Sequence, residues 1–206
     1  MSDLCVLRAV EPAQDEALSH LVGVGIGRAI TAIGDHLGTR LTARPPVLRF
    51  VSTSDDPHFD HGTDGATARA VRADLNGSIV ANAMVWIPEK SIGYFGSRVA
   101  GEEGWRENSR AHFDVASLEF GSIALSALTE GLRPILPERG WFTRATLVTD
   151  VSRSWQQIGH SAVGGFLASV EIEDAGASME FDFALLTGPR GLDMILNELE
   201  SLLAVA

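Results

Sequence analysis

The chain has 206 residues and a net charge of −11, a composition that excludes several classes of function. Asp and Glu outnumber Lys and Arg by 27 to 16, which argues against binding to nucleic acid or to an anionic membrane surface, because both attract basic residues. The single cysteine, Cys5, cannot form an internal disulfide, and the first residues lack the pattern of a signal peptide. No uninterrupted apolar run approaches the roughly 18 residues of a membrane span. A cytoplasmic protein is predicted.

The first half of the chain predicts a long helix, a strand, a hairpin and a short helix, in that order. The long helix covers residues 12–38, opening with a proline and closing at a glycine, as helices favour. Residues 45–53 predict a strand, and the pair Asn76-Gly77 predicts the turn of a hairpin. The short helix follows at residues 88–99. The side of the long helix expected to face the core consists of Leu18, Leu21, Val22, Gly25, Ala29, Ala32 and Ile33.

The second half repeats this order of elements. An amphipathic helix is predicted at residues 113–133, strands at 144–152, 164–172 and 178–186, and a closing helix at 189–204. The expected core side of the amphipathic helix consists of Phe113, Ala116, Phe120, Ile123, Ala127 and Gly131.

Two matching offsets indicate an internal duplication. Pro88 and Pro189 each follow an apolar strand and precede a helix, 101 residues apart, and the two long helices align with a shift of about 99 residues. Similar offsets are expected if residues 10–100 and 110–206, in approximate bounds, are two copies of one unit. The sequence therefore predicts a single α+β domain over residues 1–206, with pseudo-two-fold symmetry and long helices packed on a largely antiparallel sheet.

A glycine-rich segment inside the first helix, at residues 22–34, reads VGVGIGRAITAIG. A dinucleotide-binding fingerprint needs a glycine spacing that this segment does not keep, and no P-loop lysine follows it. Nucleotide binding is therefore not expected. Small residues in a helix also let another backbone approach closely, which accounts for Gly25, Ala29 and Ala32 but leaves Gly23 and Gly27 unexplained.

The same segment resembles the first conserved helix of the CheC/CheX/FliY chemotaxis phosphatases, whose usual form is close to E-I-G-N-I-G-A-G-N-A-A-T-A-L. Pro46 falls where that family places a proline, and the matching helix residues are Gly25, Gly27, Ala29, Thr31, Ala32 and Ile33. Residues 117–132 resemble the second copy of this helix, and the end of the chain resembles the family's closing strand and helix. The resemblance covers nearly the whole chain and implies a CheC-like duplicated domain.

The resemblance implies a role on phosphorylated CheY-like response regulators in chemotaxis. In the family, a glutamate pairs with a lysine of the regulator, and an asparagine three residues later positions the water that hydrolyses the phospho-aspartate. Positions i and i+3 share one helix face, and an amide both donates to and accepts from a water molecule. No cofactor is expected on this chain, because Mg²⁺ would be held by the receiver domain. A CheD-like partner or a homodimer is a further expectation.

The family motif is altered in both copies. The first copy has His20 at the glutamate position and Gly23 at the asparagine position, with Glu16 upstream, and is expected to be inactive. The second copy retains Glu119 but has Ser122 in place of the asparagine. The hydroxyl of serine can hydrogen-bond a water molecule, although its side chain is shorter than that of asparagine.

The surface around Glu119 and Ser122 has three open interpretations. Both residues, together with Ser126 and Thr129, lie opposite the predicted core side and are expected to be exposed. The surface is either a solvated helix face without function, a weak phosphatase site, or a surface that binds a receiver domain or another signalling partner without catalysis. In the phosphatase interpretation, Glu119 is the docking residue and Ser122 the substitute that positions water.

One acidic segment has the composition of a metal site. His58, Asp60 and His61 supply imidazole and carboxylate groups, which suit zinc or manganese. The many polar residues at 55–66 favour a hairpin loop instead, so no metal is predicted.

Overall fold

A computed structural model describes residues 10–52, 68–77, 79–101, 104–105, 109–136, 141–148, 164–174 and 177–205. The helices are α1 Pro12–Leu37, α2 Glu89–Ala100, α3 Arg110–Gly131 and α4 Pro189–Val205, with a short 3-10 turn at Arg133–Ile135. The strands are β1 Thr42–Ala43, β2 Val47–Ser52, β3 Ala68–Asn76, β4 Ala81–Pro88, β5 Trp141–Phe142, β6 Thr146–Val148, β7 Gly164–Asp174 and β8 Ala177–Thr187.

The eight described strands form one antiparallel sheet whose arrangement repeats about its centre. The order is β1-β7-β8-β4-β3-β5, with β2 also paired to β7 and β6 also paired to β3. β4 of the first half pairs with β8 of the second half at the centre. The short strands of each half pair with the hairpin of the other half: β1 and β2 pair with β7, and β5 and β6 pair with β3. This reciprocal exchange is the pseudo-two-fold α+β arrangement that the duplication predicted.

The position of β4 at the centre of the sheet explains why its sequence is apolar without alternation. All eight of its residues are buried. Val85 and Ile87 belong to the main core, which also contains the buried sides of the helices, whereas Met84 and Trp86 belong to a smaller cluster on the opposite face of the sheet. A strand buried on both faces loses the alternation of polar and apolar residues that marks a half-exposed strand.

α1 and α3 run antiparallel and cross closely at glycines. A Cβ atom on Gly131 would lie 2.6 Å from the Gly25 nitrogen, and one on Gly25 would lie 3.1 Å from the Leu128 Cα. Near the other end of this helix pair, His36 of α1 contacts Glu119 of α3. The close backbone approach inferred from the sequence is therefore confirmed for Gly25.

α1 is long and apolar enough to resemble a membrane span. Among the described residues it is the one helix whose length and mean hydropathy would allow a crossing. In this fold Leu18, Val22 and Ile33 are 0% exposed and belong to the main core. Packing against the sheet and the neighbouring helices accounts for this hydropathy.

The buried side of α3 is wider than the single stripe predicted. The helix begins at Arg110, three residues before the predicted start, and Ile123 and Ala127 are only partly buried. α3 packs on both the sheet, through Gly121, and α1, through Leu128, so two adjacent stripes are covered. The buried residues of α3 are Ala116, Ser117, Phe120, Gly121, Ala124, Leu125, Leu128 and Gly131.

A buried carboxylate connects α2, β7 and the turn after α1. Asp174 is 3% exposed, and it accepts hydrogen bonds from the Tyr94 hydroxyl at 2.7 Å and the Thr39 hydroxyl at 3.1 Å. Desolvation raises the pKa of Tyr94, and the hydrogen bond and negative charge of Asp174 raise it further, with a smaller opposing effect of Arg98. The neutral phenol is therefore the form that the folded state favours.

Tyr94 is the only tyrosine of the chain, so its ionisation can be followed by ultraviolet absorbance alone. The folded pKa is raised, so this group contributes stability that is fully present below the unfolded pKa of about 10 and is lost as the pH rises through the folded pKa. We expect the ionisation midpoint of the native protein to lie above that of the urea-unfolded protein. Equal midpoints in the two states would contradict this account.

Candidate functional site

Glu119 lies on α3 beside the C-terminal end of α1. Its Oε1 accepts from the Nε2 of His36, with 2.9 Å between the two atoms. The side chains of Glu119 and His36 are 38% and 35% exposed. Glu119 is thus only partly exposed, less than the sequence predicted, and it is held by His36, which no sequence motif indicated.

His36 is itself fixed by aromatic packing. Its ring stacks on that of Phe95 in α2, with 5.8 Å between the centroids and 12° between the planes. Phe95 is fully buried and meets Phe120 edge-on at 5.3 Å. The imidazole therefore orients one oxygen of Glu119, while the other, Oε2, has no hydrogen-bond partner among the described residues. An oriented carboxylate loses less side-chain entropy when it binds a partner.

Ser122 lies one helical turn after Glu119 and is partly buried. Its hydroxyl makes no hydrogen bond to another described residue. Thr129 is different, because its hydroxyl donates to the Leu125 carbonyl at 2.7 Å and is engaged by its own helix. Of the four residues expected to be exposed, only Ser126 is fully so. The others are partly covered because α3 packs on the sheet, on α1 and on α2.

A pocket of about 170 Å³ opens beside Glu119, between the end of α2 and the start of α3. Its lining is mainly apolar and includes Val99, Ala100, Trp105, His112, Val115 and Glu119. Trp105 lies in the segment between α2 and α3, which is otherwise polar in sequence, and its ring packs on Phe113 with 5.1 Å between the centroids. A large aromatic residue in a polar segment was the one signal in the sequence that could have indicated this packing.

The altered first copy is remote from Glu119. Glu16 and His20 are exposed on α1, and a Cβ atom on Gly23 would meet nothing within 4 Å. His36, which contacts Glu119, lies 16 residues beyond His20 on the same helix, about 24 Å along its axis. The two motif copies therefore lie at opposite ends of the helix pair, and the structure does not bring them into one site.

The prediction that this chain holds no metal concerns a segment outside the described residues. Among the described residues, no group of three or more His, Cys, Asp or Glu side chains is arranged to hold a metal ion. His58, Asp60 and His61 lie outside the described residues. Their interpretation as a polar loop stays a prediction.

No protein-family model and no curated protein matches this sequence. Its fold, however, matches solved structures. FliY of Thermotoga maritima superposes with a TM-score of 0.67 at 10% identity, covering 94% of this chain and 98% of that chain. The chain has the CheC/CheX/FliY-type fold.

Two further structures extend the comparison within the CheC/CheX/FliY-type fold. The FliM middle domain from H. pylori superposes with a TM-score of 0.60 at 8% identity, covering 92% of this chain and 99% of that chain. The complex of CheX with CheY, BeF3 and Mg²⁺ from Borrelia burgdorferi contains a chain that superposes with a TM-score of 0.51 at 13% identity, covering 80% of this chain and 97% of that chain. The resemblance and the fold class predicted from the sequence are confirmed. At such low identities the likeness shows the fold, and function depends on individual residues.

Proposed function

We propose that this protein is a cytoplasmic signalling protein of the CheC-type fold that binds a CheY-like receiver domain through the outer surface of α3. The observation that supports this is Glu119, the docking residue of the family motif, which is present, accessible and oriented by His36. The complex of CheX with CheY supports the class of partner. The receiver would hold Mg²⁺, and this chain would need no cofactor. A CheD-like protein or a second copy of this chain is the alternative partner.

Binding without rapid hydrolysis is the form of this function that the residues favour. Neither copy of the motif carries an amide, since Gly23 and Ser122 occupy the asparagine positions. Water positioning depends on reach and orientation, and misplacement by about 1 Å can cost on the order of a hundredfold in rate. A serine hydroxyl, on a shorter side chain, is expected to position the attacking water poorly.

The docking role of Glu119 is tested by measuring the affinity of the purified receiver, activated with beryllium fluoride and Mg²⁺. Glu119→Gln removes the charge that would pair with the receiver's lysine, so we expect binding to weaken by about tenfold or more. Glu198→Gln on α4 is the matched control, because Glu198 is exposed and the change in net charge is the same. Equal affinities for the two variants would refute docking at Glu119.

A weak phosphatase is the second candidate, favoured by the hydroxyl of Ser122, which is not engaged by any described residue and lies one turn from Glu119. In this case the protein would accelerate the decay of the phosphorylated receiver, and Ser122→Ala would remove the acceleration. Ser122→Asn restores the amide of the family motif and is expected to raise the decay rate by about tenfold or more. If decay is unchanged by the wild type and by Ser122→Asn, while binding persists, the protein binds without catalysis.

A further inference from the structure

We propose that the pocket beside Glu119 receives one apolar side chain of the receiver-domain partner, next to the cation that binds Glu119. This inference rests on the proposed function and specifies the chemistry of its binding surface. It predicts that the partner presents a lysine or arginine adjacent to an aliphatic or aromatic residue.

The shape of the pocket suits a single side chain. Its volume is about 170 Å³. For comparison, an apolar cavity of about 150 Å³ in another protein accommodates benzene. The pocket can therefore hold one phenyl or branched aliphatic group, but not a drug-sized ligand, which needs about 300 Å³ or more.

Apolar side chains at the pocket remain uncovered in the isolated chain. Val115 on α3 is 66% exposed and Val99 on α2 is 41% exposed. Both line the same pocket, so their exposure is concentrated at one place rather than scattered. Covering exposed valines stabilises a complex by roughly 25 cal/mol for each Å² of apolar surface removed from water.

The negative charge of Glu119 favours a partner that places a cation next to the bound apolar side chain. Glu119 lines the pocket with a carboxylate, and its Oε2 has no hydrogen-bond partner among the described residues. Asp114, one residue before Val115, pairs with Arg69 at 3.3 Å and with Arg110 at 3.9 Å, and Arg69 also pairs with Glu89 at 3.0 Å. Two cations and two carboxylates offset one another, so this group adds little net potential. A cation that lies next to an apolar side chain complements both features, whereas an acidic partner would be repelled by a chain of net charge −11.

The inference is tested with Val115→Asn, a change that makes the pocket polar without altering the charge near Glu119. Val80→Asn is the matched control, because Val80 is 65% exposed and lies before β4, at the opposite end of that strand from α2. The probe is the purified CheY-like receiver with beryllium fluoride and Mg²⁺. We expect Val115→Asn to weaken binding by about tenfold and Val80→Asn by less than about twofold. Circular dichroism and a thermal melt check that both variants fold.

The possible outcomes distinguish failure of the pocket inference from failure of the proposed function. If Glu119→Gln weakens binding while Val115→Asn binds like the wild type, the receiver docks at Glu119 without using the pocket, and the inference is wrong. If the wild type does not bind the activated receiver at all, the proposed function fails and the inference falls with it. Loss of affinity in both variants, with Val80→Asn unaffected, supports the pocket as part of the docking surface.

Discussion

Gly131→Ala is expected to lower the free energy of unfolding by about 3 kcal/mol. The added Cβ would lie 2.6 Å from the Gly25 nitrogen and 3.2 Å from the Leu21 carbonyl oxygen. These are backbone atoms of α1, which cannot rotate away as the end of a flexible side chain would. α1 and α3 would have to separate, and the core contacts on both helices would loosen. Urea unfolding of the wild type and the variant measures the difference.

Gly27→Ala is the control for this prediction, because Gly27 is an exposed helical glycine at which a Cβ atom would meet nothing within 4 Å. Replacing such a glycine with alanine is expected to stabilise the protein by about 0.5–1 kcal/mol through helix propensity. If Gly131→Ala unfolds at the same urea concentration as the wild type, α1 and α3 do not cross at this glycine, and the packing described above is wrong.

Asp174→Ala is expected to destabilise the protein by about 2–4 kcal/mol, because it leaves the hydroxyls of Tyr94 and Thr39 without their buried acceptor. The neighbouring residue provides the control. Glu173 points to the exposed side of β7 and pairs with Arg44 at 3.0 Å, where the side chains are 52% and 63% exposed. Such a surface pair contributes about 1 kcal/mol or less, so Glu173→Ala should have a small effect.

Thermal or urea unfolding compares the Asp174 and Glu173 variants directly. A large loss of stability only in Asp174→Ala supports the buried network. Equal losses would mean that the hydrogen bonds of Tyr94 and Thr39 do not depend on this carboxylate.

Most of the fold could be predicted because its signals are local. Proline and glycine marked the ends of α1, the Asn76-Gly77 pair marked the β3–β4 hairpin, and apolar periodicity marked the strands and helices. The start of α3 was predicted three residues late. Ser109 caps this helix, with its side chain accepting from the His112 backbone nitrogen at 3.4 Å, and a capping serine was a signal available in the sequence.

The site could be predicted only in part, because its contacts join residues far apart in the chain. Glu119 and Ser122 followed from the resemblance of their helix to the family motif, and their roles stay predictions. His36 is 83 residues from Glu119 and carries no local pattern that pairs them. The pocket depends on Trp105 packing beside α2 and α3, which periodicity within a helix cannot indicate.

The central claim is that Glu119 contacts a cation of a CheY-like receiver, and a charge exchange tests it most directly. The measurement is the affinity of the activated receiver for Glu119→Lys, for the wild type with the receiver's docking lysine reversed to glutamate, and for the two changes combined. We expect each single reversal to weaken binding by about tenfold or more and the combination to restore most of the affinity. A combined variant that binds no better than the single reversals, or a Glu119→Lys variant that binds like the wild type, would contradict the account.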